Sequence, residues 1–134
     1  MLKSLLLSIA LCAPGLASAT TVRVENRSDI TLKLHVEHAR ADIKRHLRPT
    51  LSPHTSTFVR QVGGKVLAPR DEANGHLVDI VVTDATGRGC RFRTVAERHS
   101  DAMVLIVPVA APVGAGHCEA RTGRTIGDFV FIAF

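Results

Sequence analysis

Residues 30–37, with the sequence ITLKLHVE, alternate strictly between apolar and polar side chains. Successive side chains of a β-strand point to opposite faces of a sheet, so this period of two predicts a strand with one buried face. Residues 21–25, TVRVE, alternate in the same way, and the NRSD cluster at 26–29 is typical of a turn. We interpret the three segments together as a β-hairpin.

The rest of the chain repeats this pattern of short strands and turns. Further strands are predicted at residues 55–62, 65–68, 76–83, 90–95, 103–109, around 118 and at 129–134. Residues 55–62 are expected at a sheet edge. Residues 76–83 are largely apolar on both faces and are expected to form a central strand that is buried on both sides. Residues 39–48 repeat an apolar side chain every four residues and predict one or two helical turns, ended by Pro49.

These elements predict an all-β fold. No long amphipathic helix and no internal repeat are visible in the sequence, and turn signals recur throughout it. Such a pattern is typical of a small antiparallel β-sandwich of immunoglobulin-like type, or of a small barrel. We expect seven to nine strands.

The N-terminus has the three parts of a cleavable secretory signal. Lys3 precedes an apolar run at residues 5–12, and the small residues ASA follow at 17–19. The run is far shorter than the ~20 residues that span a bilayer. We therefore predict cleavage after Ala19, one β domain at residues 20–134 without a transmembrane segment, and a periplasmic or, alternatively, an extracellular location.

The cysteines allow a simple prediction. The chain has three, and Cys12 lies in the predicted signal. In an oxidising compartment the remaining two, Cys90 and Cys118, allow one intramolecular pairing. We predict a Cys90–Cys118 disulfide, with two free thiols or a Cys/His metal site as the alternatives.

The composition limits the classes of partner. The chain has 17 Lys and Arg against 12 Asp and Glu, and a formal net charge of +5 permits attraction to anionic partners. Trp and Tyr, which usually stack on sugars and unpaired bases, are absent, and the five Phe are expected in the core. We predict no nucleic-acid partner, and expect a protein or an envelope component instead.

Two groups of residues are candidate ligand sites. His35, Glu37 and His38 offer imidazole and carboxylate ligands for zinc or copper, although His35 and His38 would point to opposite faces of a regular strand. Arg91 and Arg93 would share one strand face and could bind carboxylates or phosphates, with Arg23 or Lys33 extending the stripe from a neighbouring strand.

Signatures of catalysis are missing from the sequence. It contains no G-x-S-x-G, P-loop, dinucleotide-binding or H-E-x-x-H motif. The segment ERHSD at 97–101 has acid, base and nucleophile types, but adjacent residues in a turn do not form a triad.

We therefore expect a secreted, non-enzymatic binding module without a cofactor. An edge strand such as residues 55–62 could pair with a strand of the partner. The runner-up is a periplasmic protein that binds zinc or copper through its histidines. An enzyme with a site invisible in the linear sequence, an outer-membrane barrel and a pilus subunit are lesser alternatives.

Overall fold

The computed structural model describes residues 21–39, 41–60, 77–124 and 127–134. These residues form nine strands and one short helix. In chain order the elements are β1 (Thr21–Asn26), β2 (Leu32–Ala39), α1 (Ala41–His46), β3 (Thr50–Leu51), β4 (Thr55–Arg60), β5 (Val78–Thr83), β6 (Gly89–Ser100), β7 (Met103–Val113), β8 (Cys118–Thr122) and β9 (Asp128–Ala133). The predicted signal with its cleavage at Ala19, and the predicted strand at 65–68, lie outside the described residues.

The strands form two sheets that pack face to face. One has the order β4-β1-β9-β8 and the other β3-β2-β5-β6-β7, and we refer to them as the four-stranded and the five-stranded sheet. Among the described pairs, β1 with β9 is parallel and the others are antiparallel. The predicted all-β sandwich is confirmed, and β4 lies at a sheet edge as expected for residues 55–62.

One apolar core fills the space between the sheets. Phe92 of β6 stacks on Phe131 of β9, with 5.0 Å between the ring centroids, and both rings are buried. Ile43 in α1 and Leu47 just after it join the same core, which explains the four-residue repeat seen in the sequence. Burying a side chain of this size contributes about 1.5–3 kcal/mol.

The predicted disulfide between Cys90 and Cys118 is confirmed. It links β6 of the five-stranded sheet to β8 of the four-stranded sheet, with 5.9 Å between the two Cα atoms. The backbones approach closely here, since a Cβ atom added to Gly116 would lie 2.2 Å from the carbonyl oxygen of Gly89. Glycine at position 116 therefore makes room for the crossing.

The predicted β1–β2 hairpin is wrong, because these two strands lie in different sheets. The chain crosses between the sheets around the buried side chain of Asn26. Its Nδ2 donates to the carbonyl oxygens of Ile30, Leu51 and Ser52 at 2.7, 3.1 and 3.1 Å, and its Oδ1 accepts the N–H of Ser28 at 3.0 Å. The turn signal was correct, but it marks a crossover.

Three other strand predictions need correction. β5 is the central strand of its sheet, as predicted, but only its inner face is fully buried, since outward-facing positions such as Asp79 are half-buried. β6 continues through Ser100, so most of the segment predicted as a turn at 97–101 is strand. β7 continues through Pro108 and Pro112, which is possible because it is an edge strand and one side of it needs no N–H donor.

Within the described ranges, no helix is long and apolar enough to cross a membrane.

Candidate functional site

The outer face of the five-stranded sheet brings both predicted ligand groups together. His35 of β2 lies opposite Val81 of β5, which in turn lies opposite Arg91 of β6. The next row along this face consists of His38, Asp79 and Arg93. The candidate metal ligands and the candidate anion-binding arginines are thus neighbours on one surface.

An irregularity in β2 explains why His35 and His38 share this face. The register against β5 shifts between Val36 and His38, with Glu37 as the extra residue. Such a β-bulge displaces the alternation by one position. The expectation that the two histidines point to opposite faces is therefore wrong.

The metal-ligand geometry on this face is incomplete. The Nε2 atom of His35 lies 3.5 Å from Oε1 of Glu37. In the described part of the chain, however, no group of three or more His, Cys, Asp or Glu side chains lies close enough to hold a metal ion. His38 shares its row with Asp79, whose carboxylate is engaged by an arginine.

That arginine is Arg91, which is already paired within the protein. Its Nε donates to Oδ1 of Asp79 at 3.0 Å and its Nη2 to Oδ2 at 2.6 Å. The hydrogen bonds to Asp79 raise the pKa of Arg91. Lys33 is on the same sheet, whereas Arg23 lies on β1 in the other sheet and does not extend the predicted stripe. On this face Arg91 is thus engaged by Asp79, and His35 lies beside Glu37.

The outer face of the four-stranded sheet carries a different group, which we call the arginine–phenylalanine face. Its residues are Arg23, Glu25, Arg27, Phe58, Glu119, Arg121 and Phe134. The phenylalanines at 58 and 134 are 48% and 44% exposed, so the expectation that all five Phe lie in the core is wrong for these two. Two exposed aromatic rings on one sheet face make this surface a candidate interaction site.

Arginine side chains hold both exposed rings in place. The guanidinium carbon of Arg23 lies 5.3 Å from the ring centroid of Phe58, and that of Arg27 lies 5.7 Å from the centroid of Phe134. Glu25 accepts a hydrogen bond from Nε of Arg27 at 3.0 Å and lies 3.8 Å from Nη1 of Arg23. The two cation–π pairs are therefore joined through one carboxylate.

The β8 side of this face has a third ion pair and, beside it, a buried apolar residue. Arg121 donates to Oε2 of Glu119 at 2.7 Å, and this hydrogen bond lowers the pKa of Glu119. Ile132 on β9 lies in register between Glu25 and Glu119, and it is fully buried even though its position faces outward. Long charged side chains can cover apolar surface in this way.

A depression of about 280 Å³ lies where β1 ends and β4 begins. It is lined by Glu25, Asn26, Arg27, His54, Thr55 and Ser56. His54 has a positive φ of 56°, which is uncommon for a residue other than glycine. Its Nε2 lies 2.7 Å from Oδ1 of Asp29, so this contact ties the β3–β4 turn to the turn after β1.

The directions in which the N–H and C=O groups of β1 point show which backbone groups of β4 pair with β1 and which do not. The N–H of Thr21 donates to the carbonyl oxygen of Gly127 at 3.0 Å, and the N–H of Arg27 to that of Ala133 at 2.7 Å. Backbone groups of successive residues point to opposite sides of a strand. The odd-numbered residues of β1 therefore bond to β9, and the even-numbered residues bond to β4.

The same alternation defines the free edge of β4. The even-numbered residues of β1 lie opposite the odd-numbered residues 55–59, which use their N–H and C=O groups in that ladder. Those of Ser56, Phe58 and Arg60 point away from β1. Within the described residues, no hydrogen bond is made to them.

Sequence analysis does not identify the arginine–phenylalanine face. In β4 the buried residues are Thr57 and Val59, so Phe58 lies on the outer face. Phe58 and Val59 are adjacent and both apolar, so the sequence of this strand does not state which of the two is buried.

Searches of protein-family models, of characterised proteins and of solved structures found no match to the chain.

Proposed function

We propose that the protein is a non-enzymatic binding module that works outside the cytoplasm and binds a partner protein through its arginine–phenylalanine face. The observation that carries the proposal is the pair of exposed rings, Phe58 and Phe134, each held by an arginine on one surface. Aromatic residues and arginine are enriched at protein interfaces and in their energetic centres. The signal-like N-terminus and the disulfide support the location.

The charge of the face indicates the surface it would bind. Three arginines, at positions 23, 27 and 121, stand against two glutamates, at 25 and 119, and the chain as a whole is basic. Charge complementarity between partners favours correct encounters and suppresses wrong ones. We expect a partner surface with an apolar centre for the two rings and carboxylates around it.

The experiment replaces both rings and measures binding of the partner. The protein is crosslinked in its own host and the partner identified, and then the affinity of the purified pair is measured. We expect the Phe58→Ser/Phe134→Ser variant to bind at least about 30-fold more weakly, as truncation of energetic centres does. The matched control is Ile30→Ser, because Ile30 is 55% exposed but lies in the turn after β1, outside the face.

Equal affinity of the double variant and the control would contradict the proposal. Thermal unfolding of each variant shows whether the fold is kept, and since both phenylalanines lie outside the core, we expect all three proteins to unfold at similar temperatures.

A further inference from the structure

Within the described part of the chain, the outer edge of β4 carries a regular row of hydrogen-bonding groups that no neighbouring strand uses. Ser56, Phe58 and Arg60 each present one N–H and one C=O group away from β1, and alternate residues of a strand lie about 7 Å apart. All three residues are exposed. A row of this kind is a template for pairing with another strand.

The other sheet edges in the described residues are protected from such pairing. β3 has only two residues, and β7 contains Pro108 and Pro112, which lack an N–H. β8 has five residues and begins at Cys118, which the disulfide ties to β6. β4 has six residues and contains no proline. It is therefore the edge best suited to accept a strand.

The side chains of β4 define the chemistry of a matching strand. Thr57 and Val59 are buried on the inner face, so inward residues of an added strand would be apolar. On the outer face, the added strand would lie beside Phe58 and Arg60. An apolar or aromatic residue next to Phe58 and a carboxylate next to Arg60 would complement them.

We infer that the partner contributes an extended segment that pairs antiparallel to β4 as a fifth strand of the four-stranded sheet, with apolar residues inward and an acidic residue beside Arg60. This inference rests on the proposed function and specifies how the partner is held. We expect antiparallel pairing because an antiparallel ladder of hydrogen bonds is slightly more stable per residue than a parallel one.

The probe is a synthetic peptide, acetyl-Val-Glu-Val-Phe-Val-Thr-Val-amide. In antiparallel pairing its Glu, Phe and Thr lie opposite Arg60, Phe58 and Ser56. Amide hydrogen exchange is followed by NMR on the purified protein at saturating peptide. We expect exchange of these three N–H groups to slow at least about tenfold, and a peptide with Lys in place of Glu to bind at least about fivefold more weakly.

A substitution separates backbone pairing from side-chain contact. Ser56→Pro removes one outward N–H while leaving both phenylalanines and all arginines in place, whereas Ser56→Ala keeps that N–H. We expect the proline variant to lose binding of the peptide and the alanine variant to keep it. If the proline variant fails to fold, the exchange measurement on the unsubstituted protein decides.

Four results would overturn the inference. The N–H groups of Ser56, Phe58 and Arg60 could be protected from exchange already in the isolated protein. They could also become protected as the protein concentration rises without peptide, and that result would identify a second copy of the chain as the occupant. Binding of the peptide without protection of these groups would also overturn it. If the natural partner is lost from the double phenylalanine variant but kept by Ser56→Pro, the proposed function stands and strand addition fails.

Discussion

At the scale of single residues, Asn26 shows how one buried side chain can direct the chain from one sheet to the other. Its amide bonds to carbonyl groups of two separate segments, at Ile30 and at residues 51–52. This donor is costly to lose because the carbonyl oxygen of Leu51 would stay buried without it. The side chain therefore fixes the relative position of the turn after β1 and the turn after β3.

Replacement of Asn26 by Ala is expected to destabilise the protein by about 2–3 kcal/mol, as loss of a buried hydrogen-bond network does. Asn26→Asp keeps the shape but places a carboxylate against carbonyl oxygens. The pKa of that carboxyl would be raised above its ordinary value of about 3.9, so stability of this variant is lost as the pH rises through the raised pKa. Urea unfolding at pH 4.5 and pH 7 checks this, and equal deficits of the Asp variant at both would contradict it.

A second residue-scale prediction concerns Asp84 in the β5–β6 turn. Its Oδ1 accepts the hydroxyl of Thr86 at 2.6 Å and the N–H groups of Thr86 and Arg88 at 2.8 and 3.1 Å. The Thr86 hydroxyl, followed by the Arg88 N–H, lowers the pKa of Asp84. A carboxylate with a lowered pKa stabilises the fold above its unfolded-state pKa and loses that effect as the pH falls through the folded value.

We therefore expect Asp84→Ala to be less stable than the natural protein at pH 6, with a difference that shrinks in strong acid. Urea unfolding of both proteins at pH 6 and at pH 2 measures the difference in the free energy of unfolding. Asp84→Asn is the control, because it keeps an oxygen acceptor but cannot titrate. A deficit of Asp84→Ala that stays constant down to pH 2 would argue against the role assigned to the carboxylate.

At the scale of elements, a side-chain hydroxyl of β6 accepts backbone N–H groups where the neighbouring strand β5 begins. The buried Oγ1 of Thr94 on β6 accepts the N–H groups of Leu77 and Val78 at 2.7 and 3.2 Å. Thr94→Val keeps the shape but leaves two buried donors without this acceptor, which is expected to cost about 2–4 kcal/mol. Thr94→Ser keeps the hydroxyl and should cost less. Denaturant unfolding of the pair gives the comparison, and equal losses would show that packing alone matters here.

The elements also show what alternation can and cannot predict. A period of two identified β1 and β2, because it reports directly which residues a half-buried strand hides. It could not place the β1–β2 crossover, since a turn signal does not state which sheet the chain enters next. The bulge around Glu37 and the pairing of Arg91 with Asp79 depend on the register of a neighbouring strand, which a single segment does not contain.

At the scale of the whole molecule, the disulfide joins the two sheets across a separation of 28 residues. The Cys90→Ala/Cys118→Ala variant is expected to lose about 3–4 kcal/mol, the usual effect of opening a loop of this size. Unfolding with and without a reductant measures the loss. The reductant should lower the stability of the natural protein and leave the variant unchanged. A variant as stable as the natural protein would show that core packing alone holds the sheets together.

The parallel pairing of β1 with β9 has a consequence for how the chain is made. Thr21 and Asp128 are hydrogen-bonded although they are 107 residues apart in sequence, and together β1 and β9 form the middle of the four-stranded sheet. The central pair of this sheet is therefore incomplete until β9, at Asp128–Ala133, has been synthesised. The first strand of the described chain must wait for the last before the sheet can close.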